Sequence, residues 1–144
     1  MKIIWRAMLV LAAFAFAAPA EAQREAVTRG DTRAVRAVVE AQLAAFAADD
    51  AAAAFAHAAP SIRALFANPD AFLAMVRAGY PVVYRPRSVS FLLPVWVDGS
   101  LLQGVHMTDA QGALWLAVYQ LERQADKSWR IGGCTVQPVT GQLT

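Results

Sequence analysis

The chain of 144 residues carries 13 basic and 11 acidic side chains and one cysteine, and 58% of it is hydrophobic, a figure inflated by 32 alanines. Near-balanced charge gives no electrostatic basis for binding nucleic acid, and a lone cysteine excludes a disulfide within the chain. Beyond residue 22, no segment holds the about 18 unbroken apolar residues that a membrane-spanning helix needs.

The first segment pairs a basic start, Lys2 and Arg6, with an uncharged apolar run over 7–20 and the small-x-small site Ala20-Glu21-Ala22. That order describes a secretory signal peptide cleaved near Ala22. The run is shorter than the about 20 residues that span a bilayer, so no membrane insertion is expected after cleavage. A lipoprotein signal would place a cysteine at the cleavage point, and none stands there. The expected product is periplasmic or secreted. It comprises a mobile polar leader over 23–30 and a single α+β domain over 31–144. Loss of residues 1–22 removes two basic and one acidic side chain and leaves 122 residues with net charge +1, enough for one core.

Asp31 or Thr32 can cap a helix whose inward positions Val35, Val38, Val39, Gln42/Leu43 and Phe46 recur at three-and-four spacing up to Asp49-Asp50. A short helix over 50–59 stops at Pro60, and Ser61 can cap one further turn. Asn68-Pro69-Asp70 is a start signal with a side-chain cap and proline at the first helical position. This third helix carries Phe72, Leu73, Met75 and Val76 inward, and Gly79 is expected to end it in the left-handed conformation. From Tyr80 onward the composition turns to Val, Leu, Trp and Tyr, punctuated by Asp98-Gly99, the stretch 109–112 and the stretch 125–128. Asp-Gly between apolar runs is a strong hairpin signal, so the second half reads as an antiparallel meander. Helices followed by strands argue for an α+β domain with the helices on one face of a curved sheet.

These residues carry a resemblance that spans nearly the whole mature chain. Gln42, Ala45-Phe46, Asp49-Asp50, Ala54-Phe55, Ala59-Pro60, Ile62 and Phe66 belong to it. So do Phe72, Met75-Val76, Gly79-Tyr80, Val83-Tyr84-Arg85-Pro86, Trp115, Tyr119, Trp129-Arg130-Ile131 and Gly133-Cys134. Together they resemble a bacterial family, domain of unknown function 4864. The resemblance implies the nuclear transport factor 2-like superfamily, a cone of helices leaning on a strongly curved antiparallel sheet. That superfamily holds isomerases, dehydratases, polyketide cyclases and many non-catalytic binders, so it implies no activity. The turn over 125–128 departs from the superfamily pattern in lacking Asp-Gly.

Several side chains are candidates for chemistry. Cys134 as a nucleophile would need a base, and His57 and His106 are the only histidines; as a small apolar residue it reads as a wall residue, with an intermolecular disulfide as the alternative in an oxidising compartment. Gly132-Gly133 within a strand reads as a bulge that would turn Cys134 to the side of Trp129 and Ile131. Asp50 and His57, seven apart, share a face if the helix is continuous. The other reading makes Asp49 and Asp50 a helix end and the next helix's cap. Metal binding would need a third convergent ligand, so no metal and no cofactor is expected.

Tyr80, Tyr84, Arg85 and Arg87 either hold an anion or line an exposed sheet edge. A two-residue Asp98-Gly99 loop pairs Val97 with Ser100, Val95 with Leu102, Leu93 with Gly104 and Phe91 with His106, which sends His106 into the core or a pocket. Trp115, Ala117, Tyr119 and Leu121 share one face of the next strand.

The favoured function is a non-catalytic binder of a small apolar or weakly anionic ligand, with Tyr84, His106, Trp115 and Tyr119 as binding residues. The alternatives are an isomerase or hydro-lyase using His106 or His57 with Asp50, and a homodimer formed through the outer sheet face.

Overall fold

The computed structural model describes residues 26–141. The signal-peptide reading of 1–22 and its cleavage site lie outside the described residues. Five helical segments come first: α1 (Arg29–Ala47), α2 (Ala51–Ala56), α3 (Pro60–Arg63), α4 (Pro69–Gly79) and α5 (Pro81–Tyr84). Five strands follow: β1 (Ser88–Phe91), β2 (Val95–Val97), β3 (Ser100–Thr108), β4 (Leu114–Arg123) and β5 (Trp129–Pro138). The fold is thus α+β, helices before strands. The sheet is antiparallel throughout in the order β1-β3-β4-β5, with β2 pairing the other half of β3. It is not strongly curled, which departs from the expected cone.

Local chemistry explains most helix ends. Thr28, not Asp31 or Thr32, caps α1 by accepting the Asp31 N–H at 2.9 Å, so the helix begins inside the stretch read as leader. At its far end the Asp50 N–H reaches the Ala45 carbonyl and the Asp49 N–H reaches that of Phe46. This is a Schellman closure with Asp49 left-handed at φ 53°, a conformation that aspartate tolerates better than most residues. Asp50 then caps α2 through the Ala53 N–H at 3.1 Å. Pro60 does not merely stop a helix: it occupies the first position of α3. Asn68 caps α4 at 2.8 Å with Pro69 behind it, as expected. Gly79 departs from expectation. It is the last residue of α4 without a positive φ, and Pro81 starts another helical turn where a strand was read.

In the sheet, Asp98 and Gly99 both adopt positive φ, the signature of a tight two-residue hairpin whose twist suits the flanking strands. Val97 faces Ser100 and Val95 faces Leu102, but further along Phe91 faces Val105 and Ser90 faces His106. The stretch 92–94 therefore holds one residue more than the opposite stretch of β3. Pro94 has no N–H for the ladder. The Gln103 amide supports the detour by donating to the Leu92 carbonyl at 2.7 Å and its own neighbour Gly104 at 2.9 Å. The one-residue slip reverses the expected facing of His106. Leu101, Gln103, Val105 and Met107 are buried and face the helices, while His106 lies on the outer face with Leu102.

A second irregularity sits in β5, where Gln120 faces Gly133 but Leu121 faces Ile131, leaving Gly132 as the extra residue of a bulge. Tyr119 consequently faces Cys134, and Ile131, Trp129 and Cys134 share the helix-facing side, as the glycine pair suggested. The core lies between α1, α2, α4, α5 and this face. Phe72 is at its centre, with ring centroids of Phe46, Phe55 and Phe66 at 6.0, 5.5 and 5.4 Å.

Candidate functional site

A cavity of about 270 Å³ remains between the helices and the β4–β5 half of the sheet. One turn of spacing puts Gln42 and Phe46 of α1 on its wall, and the same rule brings Phe72, Met75 and Val76 of α4. Ala58, Ile62, Leu65 and Phe66 come from around α3, Tyr80 and Val83 from around α5, and Tyr119, Ile131, Gly133 and Cys134 from the sheet. Leu65 and Tyr80, 73% and 38% exposed, mark its outer end. Among the described residues, no charged side chain lines it.

The polar groups on the wall are few and uncharged. Gln42 is buried and donates to the Ala54 carbonyl at 3.1 Å. Tyr119 is 1% exposed, its hydroxyl has no hydrogen-bond partner among the described residues, and burial raises its pKa well above the usual 10.0. Burial likewise pushes the Cys134 thiol up to about 12. Such a shift reduces the thiolate, the nucleophilic form, and Cys134 lines the cavity wall.

Of the four residues expected to bind ligand, only Tyr119 lines this cavity. His106 is on the opposite side of the sheet, for the register reason given above. Trp115 faces the helices but lies further along β4. Its indole N–H donates to Asp109 at 2.9 Å, and it lines a second groove with Tyr80, Pro81, Val82, Arg85 and Val136. Tyr84 is held elsewhere: its hydroxyl donates to Asp49, and Arg77 and Arg85 pair with the same carboxylate at 3.3 and 3.1 Å. Both guanidinium groups also lie over the Tyr84 ring, 5.3 and 4.8 Å from its centre. The Tyr84 hydroxyl, then Arg85 and Arg77, hold the Asp49 carboxyl below its ordinary range. Arg85 thus braces the α1–α2 turn, and of the tyrosines and arginines considered it shares the second groove with Tyr80.

The proposed acid/base pair is not assembled. Asp50 is spent as a cap, and His57 closes α2 with its carbonyl bonded to the Ile131 N–H at 2.8 Å. His57 Nδ1 is buried without a partner, and its pKa is lowered by burial first and the charge of Arg130 second. Among the described residues, neither histidine forms an ion pair with a carboxylate, and no three His, Cys, Asp or Glu side chains are grouped to hold a metal.

Sequence reasoning placed Gln42, Phe46, Phe72, Met75 and Val76 on inward faces without assigning them to a cavity. A cavity wall and a solid core have the same apolar periodicity.

Residues 28–144 match the family model described as Domain of unknown function (DUF4864). No curated protein and no solved structure matches the chain.

Proposed function

The chain belongs to the DUF4864 family, whose description names no activity, and from its own site we propose that it is an exported, non-catalytic binder of a small apolar molecule. The observation that carries this reading is the cavity of about 270 Å³ walled by aromatic and aliphatic side chains and free of charged ones. Without a cation on the wall, the weakly anionic class of ligand loses its support. The acid/base alternative loses support as well, since its histidines and Asp50 do not converge. Export rests on the basic start, the apolar run and the Ala-x-Ala site, and N-terminal sequencing of the protein made in a Gram-negative host checks it. Kinship with the nuclear transport factor 2-like cone belongs to the same reading, supported by the helix-then-sheet order and by a cavity lying between the two layers.

Met75 has its side chain on the wall, so its methyl resonance reports occupancy. Titration of the mature protein with alkylbenzenes should shift that signal saturably. No shift up to the solubility limit overturns the reading.

A second reading, homodimerisation, is favoured by the outer sheet face. Val95 and Val97 are 53% and 43% exposed there, Leu102 packs beside them in register, and Leu116 and Val118 continue the row on β4. Native mass spectrometry distinguishes one mass from two.

A further inference from the structure

We propose that the cavity selects a neutral molecule bearing one hydrogen-bond acceptor, a ketone, ester or ether oxygen, which the Tyr119 hydroxyl holds. The inference rests on the cavity reading and adds the polarity of the ligand to it. Buried hydroxyls in folded proteins are almost always paired, because an unmade bond leaves the cost of desolvation uncompensated. Tyr119 is 1% exposed, lines the cavity and has no partner for its hydroxyl. Phenylalanine at this position would fill the same space without that cost.

The neighbouring donors are already used: the Gln42 amide bonds the Ala54 carbonyl, and the Cys134 thiol points to the Thr135 carbonyl at 3.9 Å. Of the buried donors around the cavity, the Tyr119 hydroxyl alone is left without a partner among the described residues, while the other tyrosine, Tyr80, belongs to the exposed outer end. Burial keeps the phenol protonated, so it remains a donor across physiological pH. A carboxylate or an ammonium group would lose its hydration against a wall with no counter-charge. The volume is roughly twice that of a 150 Å³ cavity that holds benzene, which suits a ring with a short substituent.

The test titrates ethylbenzene, acetophenone and benzoate into the mature protein and into Tyr119→Phe. Acetophenone should bind the native protein and weaken by about three- to tenfold in the variant, the value of one hydrogen bond. Ethylbenzene should bind both equally, and benzoate neither. Without ligand, Tyr119→Phe should melt no lower than the native protein. Equal acetophenone affinity for both proteins, or a lower melting temperature for the unliganded variant, overturns the assignment of the hydroxyl and leaves the cavity reading standing. Failure of acetophenone and ethylbenzene alike to bind either protein overturns both.

Discussion

Cys134 stands opposite Tyr119 across the β4–β5 ladder, and both line the same cavity. The pairing exists because Gly132 and Gly133 together take the place of a single outward residue opposite Gln120. With its pKa raised to about 12, the thiol should resist alkylation. At pH 8 the native protein should react with iodoacetate at least about a hundredfold more slowly than the protein in guanidinium chloride, because the thiolate is the reacting form. Equal rates would place Cys134 outside the cavity wall.

Phe72 is both core and cavity wall, and three phenylalanine rings surround it. Phe72→Ala should cost about 3–5 kcal/mol in urea unfolding, the range for aromatic truncation in a packed core. The added space should favour bulkier alkylbenzenes over ethylbenzene. A loss under about 1 kcal/mol would mean the ring is not packed as described.

Asp49 joins the α1–α2 turn to α4 and α5 through Arg77, Tyr84 and Arg85. Asp49→Asn keeps a residue that accepts positive φ but removes the charge, so its melting temperature should fall, and the deficit should shrink in high salt. Tyr84→Phe should also destabilise. Because the two side chains share one bond, the double variant should lose less than the sum of the single losses. Strict additivity in scanning calorimetry would show that the contact contributes nothing.

Stability should fall on both sides of neutrality. His57 has a folded pKa below 6.5, so the unfolded chain takes up the proton first. Stability is full above that value and declines as pH drops through the folded one. Asp49, Asp109 and Asp126 lie below 3.8, held chiefly by Tyr84, Trp115 and Ser128 respectively, and add a second decline in stronger acid. Cys134 is raised from 9.0 to about 12, so the unfolded chain loses this proton first and stability declines as pH rises from 9.0 toward 12. Thermal melts across pH should show Cys134→Ala with a shallower alkaline limb. An identical limb would contradict the burial of the thiol.

His106 and Leu116 are paired on the outer face of the sheet. His106→Ala should leave binding of acetophenone unchanged, whereas a histidine in the cavity would alter it. Leu116→Glu should likewise spare binding but convert a dimer to a monomer in native mass spectrometry. A mass unchanged from a dimeric parent would remove the outer face as the interface.

The parts of this fold that the sequence determined by itself are those governed by neighbours along the chain. Asn68-Pro69 started α4, Asp50 capped α2, Asp98-Gly99 closed a hairpin, and Gly132-Gly133 marked a bulge, because each depends on a few dihedrals and one or two local bonds. The tertiary structure decided what long-range pairing controls. One extra residue at 92–94 moved His106 to the far face, since facing alternates at every step of a strand. Tyr84 was legible as an aromatic beside arginine, but only the fold brought Asp49 to it across 35 positions. The cavity lay beyond the reach of periodicity, because it is a gap where α1, α4 and the sheet fail to meet. Only their packing leaves Tyr119 buried with a hydroxyl and no partner.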